Sequence, residues 1–275
     1  MSEEILKALM QLFALITKQD GGIGQKEIDY VRRFLEQQIG VDSASEYLQL
    51  YKDTAAGDKE STSDKESGTA PKKKLTSVLD SVRMLKLCKQ ISKTINQRQK
   101  LVVLVRILEL VNAEYKLTEQ RLGIVKTVAD IFRIDQEEYE SIFTFVTSTQ
   151  EEAFSGPNHL VIYPLFFLRI PSVELYFVKF TGQMEVFLNG LGMRDRAISL
   201  FASGSTLRLP VGLPVYYSDI AARFLSERSS EKITLEADHL SYQFPNQVQG
   251  LNDISFNAHQ GNLVGIMGSS GAGKT

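Results

Sequence analysis

Gln19-Asp20-Gly21-Gly22-Ile23-Gly24 interrupts two stretches of helical periodicity, and its reading organises the first half of the chain. Three glycines among six residues end a helix. Before them Ile5, Leu6, Leu9, Phe13 and Ile16 recur at helical spacing, and after them Ile28, Val31 and Leu35 do the same. The stretch is therefore an acidic turn between two amphipathic helices.

The same design recurs downstream. Leu101–Val111 is a strongly apolar helix carrying Arg106 and Glu109, and the turn Asn112–Lys116 leads to another helix near Thr118. Thr118 is a suitable N-cap, with Glu119 well placed against the helix dipole. An offset of 94 residues sets Asp20 against Glu114, Ile23 against Leu117, Gly24 against Thr118 and Val31 against Val125. It also sets Glu27 against Arg121, a departure from the repeat. Between the copies, residues 52–74 are polar and charged and read as a flexible loop.

These residues resemble the TerB-like helical domain of tellurite-resistance and stress proteins, over about 1–150. The resemblance implies two acidic helix–turn–helix halves packed together. It also implies a divalent-cation site, for which Asp20, Glu27 and Glu114 are the candidate ligands. The competing reading is solvated capping chemistry. An EF-hand is excluded, because Gly22 and Gly24 stand where oxygen ligands are required.

From Gly156-Pro157 the texture changes. Leu160–Ile170, Glu174–Phe180, Met184–Leu188 and Ala197–Phe201 are apolar and β-rich, separated by Thr181-Gly182-Gln183 and Asn189-Gly190. Residues 157–228 read as a small antiparallel β module closed by a short helix around Ile220–Leu225. No Arg/Ser/His constellation for phosphate capture stands out in it, so it reads as a spacer or docking surface.

The chain closes on Gly268-Ser269-Ser270-Gly271-Ala272-Gly273-Lys274-Thr275, which matches G-x-x-x-x-G-K-[ST]. The apolar run Asn262–Met267 feeds into it as a strand feeds a phosphate loop. Glycines let successive N–H groups converge on phosphates. Lys274 would reach the β- and γ-phosphates, and the Thr275 hydroxyl would ligate Mg²⁺. Upstream lie Ile233–Ala237, Leu240–Phe244 and Gly250–Phe256. Residues 231–275 together resemble the opening of an ATP-binding cassette (ABC) domain, an α/β P-loop NTPase, cut short after the phosphate loop. The resemblance implies ATP and Mg²⁺ as cofactors and an aromatic side chain stacked on adenine. Tyr242 is the best match and Phe244 the alternative; either could instead pack on a strand face. It implies further a second cassette as dimer partner and a membrane domain beyond residue 275, placing the protein at the cytoplasmic face of a bacterial inner membrane. Transport driven by ATP hydrolysis is the implied function, with catalytic groups beyond Thr275 and this stretch alone inactive. His239 and His259 precede the loop and read as solvated turn residues.

Composition constrains the rest. With 31 Lys+Arg, 33 Asp+Glu and a net charge of −2, a dedicated nucleic-acid binder is not expected. The lone Cys88 cannot form an internal disulfide and reads as a buried hydrophobe. Neither a secretory signal nor a membrane span is visible, so this stretch reads as soluble and intracellular. Two other functions fit: a soluble ABC-type ATPase without transport, and a TerB-like stress- or metal-sensing module.

Overall fold

The computed structural model describes residues 3–18, 23–56, 72–113, 117–154, 156–226, 234–245, 247, 249–259, 262 and 264–265. The chain divides into two units, Met1–Ile220 and Ala221–Thr275.

In the first unit the helices are α1 (Glu3–Thr17), α2 (Gln25–Ile39), α3 (Val41–Ala56), α4 (Lys72–Thr94), α5 (Gln97–Asn112), α6 (Glu119–Phe132) and α7 (Gln136–Thr147). Adding 94 to the bounds of α1, α2 and α3 gives 97–111, 119–133 and 135–150, which match α5, α6 and α7 to within a few residues. The repeat is thus three helices long rather than two, with α4 between the copies. α1 and α5 each carry a broad apolar face that must be enclosed. Leu9, Leu12, Phe13 and Ile16 in α1, and Leu101, Leu104, Ile107, Leu108 and Leu110 in α5, are buried. Equivalent positions are buried alike: Val31 with Val125, and Tyr51 with Phe145.

Local signals set the boundaries. Asn96 caps α5 by accepting from the Gln99 N–H, while the Gln99 side chain accepts from the Asn96 N–H, a reciprocal capping box. Thr118 caps α6 as expected, accepting from the Arg121 N–H. The segment expected as a loop begins later than the composition indicates. Helix α3 runs to Ala56, its last turn held by buried Ala55, and helical backbone resumes at Lys72.

Two four-stranded antiparallel sheets follow. One has the order β1 (His159–Ile162), β2 (Leu165–Ile170), β3 (Leu175–Phe180), β6 (Ile198–Leu200). The other has the order β5 (Leu191–Met193), β4 (Val186–Leu188), β7 (Thr206–Arg208), β8 (Val215–Tyr216). The run Leu160–Ile170 is two strands joined at Tyr163-Pro164. Asn189-Gly190 is the expected two-residue hairpin, both residues at positive φ. Strands β2 and β3 are buried at every residue, which removes the alternation a half-exposed sheet would show. Their side chains Phe166, Leu168, Ile170 and Phe177 belong to the same continuous core as α1 and α5. The first sheet is therefore packed on the helices. Helix α8 (Tyr217–Ser226) follows β8.

In the second unit β9 (Thr234–Gln243) and β10 (Gln249–His259) form a two-stranded antiparallel hairpin with three register shifts. Its apolar side chains Leu235, Leu240, Ile254 and Phe256 are exposed. Among the described residues no helix is long and apolar enough to cross a membrane.

Candidate functional site

Glu27 and Arg121, equivalent positions in the two copies, are each other's partners. Arg121 Nη1 donates to Glu27 Oε1 at 2.8 Å, and the side chains are 4% and 1% exposed. Glu27 Oε2 accepts the Gly24 N–H at 2.9 Å, while Arg121 Nη2 donates to the Thr17 carbonyl at 3.1 Å. The pair therefore joins the end of α1 and the start of α2 to the start of α6. The departure from the repeat is what makes the contact: two glutamates here would repel, whereas Glu and Arg close the pseudo-symmetric interface. Of the three candidate cation ligands, Glu27 is thus engaged with a guanidinium and a backbone N–H, and Asp20 and Glu114 lie outside the described residues. Among the described residues no group of three His, Cys, Asp or Glu is arranged to hold a metal.

A second polar cluster ties helices to sheet. Arg106 Nη1 donates to Glu109 Oε2 at 2.5 Å and to the Ile198 carbonyl at 2.9 Å, and Glu109 Oε1 accepts the Ile198 N–H at 3.2 Å. The two side chains read both backbone groups of one β6 residue, as a neighbouring strand would. Tyr30 of α2 adds its hydroxyl, donating to Glu109 Oε2 at 2.9 Å. Burial, then the Glu109 charge, pushes that phenol well above its ordinary value.

Lys179 of β3 is 1% exposed. Its ammonium donates to the carbonyls of Phe145 and Ser148 at the carboxyl end of α7, where a positive charge suits the helix dipole. The rings of Phe154, Phe145 and Phe166 lie 5.0, 5.1 and 5.7 Å away. Burial and the nearby Arg196 charge lower its pKa to about 8.

These elements wall a cleft of about 540 Å³. Among the described residues six cationic side chains line it, Lys26, Arg33, Arg106, Lys179, Arg194 and Arg196, against three carboxylates. None of the six is adjacent in sequence to another, and only the packing of α2, α5, β3 and the β5–β6 connection brings them together.

On the hairpin, Tyr242 and Phe244 are both half-exposed and meet edge to face, with centroids 5.1 Å apart at 83°. The two rings lie over Gly250, where a Cβ would come within 2.7 Å of Phe244 Cε2 and 3.1 Å of Tyr242 Cδ1. Both candidates for stacking thus present aromatic surface. His239 and His259 are exposed, but they lie in strands, His239 at a positive-φ irregularity bonded to Asp253. Gly268, Ser269, Ser270, Gly271, Ala272, Gly273, Lys274 and Thr275 lie outside the described residues.

Residues 6–143, half of the chain, match the family of tellurite resistance protein TerB, and they span α1 to α7 with both copies of the repeat. The chain belongs to the TerB family. Outside that family the chain is similar over short stretches to proteins described as β-(1→2)glucan export ATP-binding/permease protein NdvA. With the Bartonella henselae protein it is 48% identical over 105 residues, 36% of this chain and 17% of the relative. With those of Bartonella quintana and Brucella abortus it is 50% identical over 44 and 38 residues, covering 16% and 14% of this chain. The chain spans between 6% and 17% of the length of these relatives. No solved structure matches it.

Proposed function

We propose that this chain belongs to an ATP-driven export protein, in which a TerB domain and an attached β module precede an ABC-type nucleotide-binding cassette with a P-loop fold. The observation that carries the reading is the octapeptide Gly268–Thr275 behind an apolar run, together with the exposed aromatic pair on β9–β10. The partial similarity to export ATP-binding/permease proteins supports it.

Lys274 would contact the β- and γ-phosphates, the 268–273 backbone would cradle them, and Thr275 would hold Mg²⁺, the ion that screens the phosphate charge. Tyr242 would stack on the adenine. A second cassette and a membrane domain are the implied partners, and the cytoplasmic membrane face is the implied location.

Nucleotide stacking is worth about 1–3 kcal/mol per base, so Tyr242→Ala should weaken binding of a fluorescent ATP analogue by the intact protein about tenfold or more. Tyr242→Phe should retain it. If Phe244→Ala weakens binding and Tyr242→Ala does not, Phe244 holds the base. Undiminished binding in both alanine variants would remove the hairpin from the nucleotide site.

A further inference from the structure

We propose that the cleft between α2, α5 and the β5–β6 connection binds a diphosphate group, gripped from its two walls by Arg33 and Arg194. Of the three carboxylates lining the cleft, Glu109 is held by Arg106, the Tyr30 hydroxyl and the Ile198 N–H. Asp195 accepts the Gly182 N–H at 3.0 Å and faces Arg196 at 3.6 Å. Asp29 faces Arg32 at 3.8 Å and accepts from Gln25 at 2.9 Å.

Two guanidiniums are left over. Arg33 donates through Nε to the Asp29 carbonyl at 3.0 Å, and among the described residues neither Arg33 nor Arg194 has a carboxylate within 4.0 Å. Lys179 also reaches no carboxylate, its ammonium being spent on carbonyls. Among the described residues the cleft therefore carries more positive than negative charge, with Arg33 and Arg194 facing no carboxylate.

Shape and chemistry select the ligand. A volume of about 540 Å³ is that of a small-molecule site. Arg33 comes from the helical wall and Arg194 from the sheet wall, and a ligand with two linked anionic centres offers one to each. Guanidinium forks match phosphate oxygens two at a time. Asn112, Thr149 and Ser199 also line the cleft and add neutral donors. A diphosphate meets these requirements, whether inorganic or carried by a nucleotide.

The test is calorimetric titration of inorganic pyrophosphate into the whole chain and into Arg33→Ala, Arg194→Ala and Lys274→Ala. Both arginines are exposed, so their removal should leave the fold intact, as circular dichroism would verify. The expected result is saturable binding weakened about tenfold by each arginine variant, 1.4 kcal/mol apiece, and unchanged in Lys274→Ala. Loss of binding in Lys274→Ala alone would move the site to the phosphate loop, leaving the proposed ATP site standing and overturning this one. Absent binding, binding indifferent to both arginines, or an equal response to citrate would also overturn it. ADP titrated into Lys274→Ala identifies the source: affinity above that for pyrophosphate supports a nucleotide diphosphate, and equal affinity supports the bare group.

Discussion

Removing both halves of the Glu27–Arg121 pair should damage the helical domain about as much as removing either one alone. The side chains are 1% and 4% exposed, so neither charge can be rescued by water. Arg121→Met leaves a buried carboxylate that keeps the Gly24 N–H but has lost the guanidinium, and Glu27→Met leaves a buried guanidinium that keeps the Thr17 carbonyl at 3.1 Å but has lost the carboxylate. Each single change should cost about 3–5 kcal/mol, a large part of the roughly 5–15 kcal/mol that holds a domain folded. In the double variant no charge is buried. What remains is a Gly24 N–H and a Thr17 carbonyl without side-chain partners, at about 1–3 kcal/mol each. The singles therefore sum to about 8 kcal/mol and the double should come to about 4, a coupling of about 4 kcal/mol between positions 94 residues apart. Equilibrium urea unfolding of the four proteins measures it. Additive single effects, or singles costing under about 1 kcal/mol, would refute the pair's role as the closure between the copies.

Other consequences follow from buried polar groups elsewhere. The native pKa of Lys179, about 8, is below its ordinary value near 10.4. Between those values the unfolded chain holds a proton that the native chain has released. Stability should therefore rise with pH through this window, by at most about 1.4 kcal/mol per unit from this group. Urea unfolding at pH 8, 9 and 10 should show that rise flattened in Lys179→Met; equal slopes would contradict it. Glu109→Ala removes the acceptor of the Ile198 N–H, so that amide should exchange with deuterium about tenfold faster or more, and an unchanged rate would detach Glu109 from the sheet. Burial pushes the Cys88 thiol up to about 12. It should resist a thiol reagent in the native state and react only on unfolding, so rapid native labelling would count against its burial.

Much of the helical architecture is written in periodic signals, and the rest depends on packing. The 94-residue offset and the glycine turn are local, so α1, α2, α5 and α6 are readable from apolar spacing alone. The third helix of each copy is harder to see, because α3 joins α2 through Gly40 without a polar break. Arg121 is visible in the sequence as an irregularity, but its meaning depends on Glu27 lying opposite. Strands β5, β7 and β8, two or three residues each, are too short to carry a period. The cleft is the least legible feature. Arg33, Arg194 and Lys179 are scattered over three elements, and their partners, or lack of them, are set by tertiary contacts. The β module in isolation shows no phosphate-capturing pattern because half of the cationic wall belongs to the helices.

The proposed function rests on the phosphate loop, and the most direct test is Mg²⁺-dependent ATP hydrolysis by the intact protein with and without Lys274→Ala. The predicted result is hydrolysis that falls to the uncatalysed background when Lys274 is lost, while the helical domain unfolds at an unchanged urea concentration. Hydrolysis undiminished in Lys274→Ala would contradict the proposal.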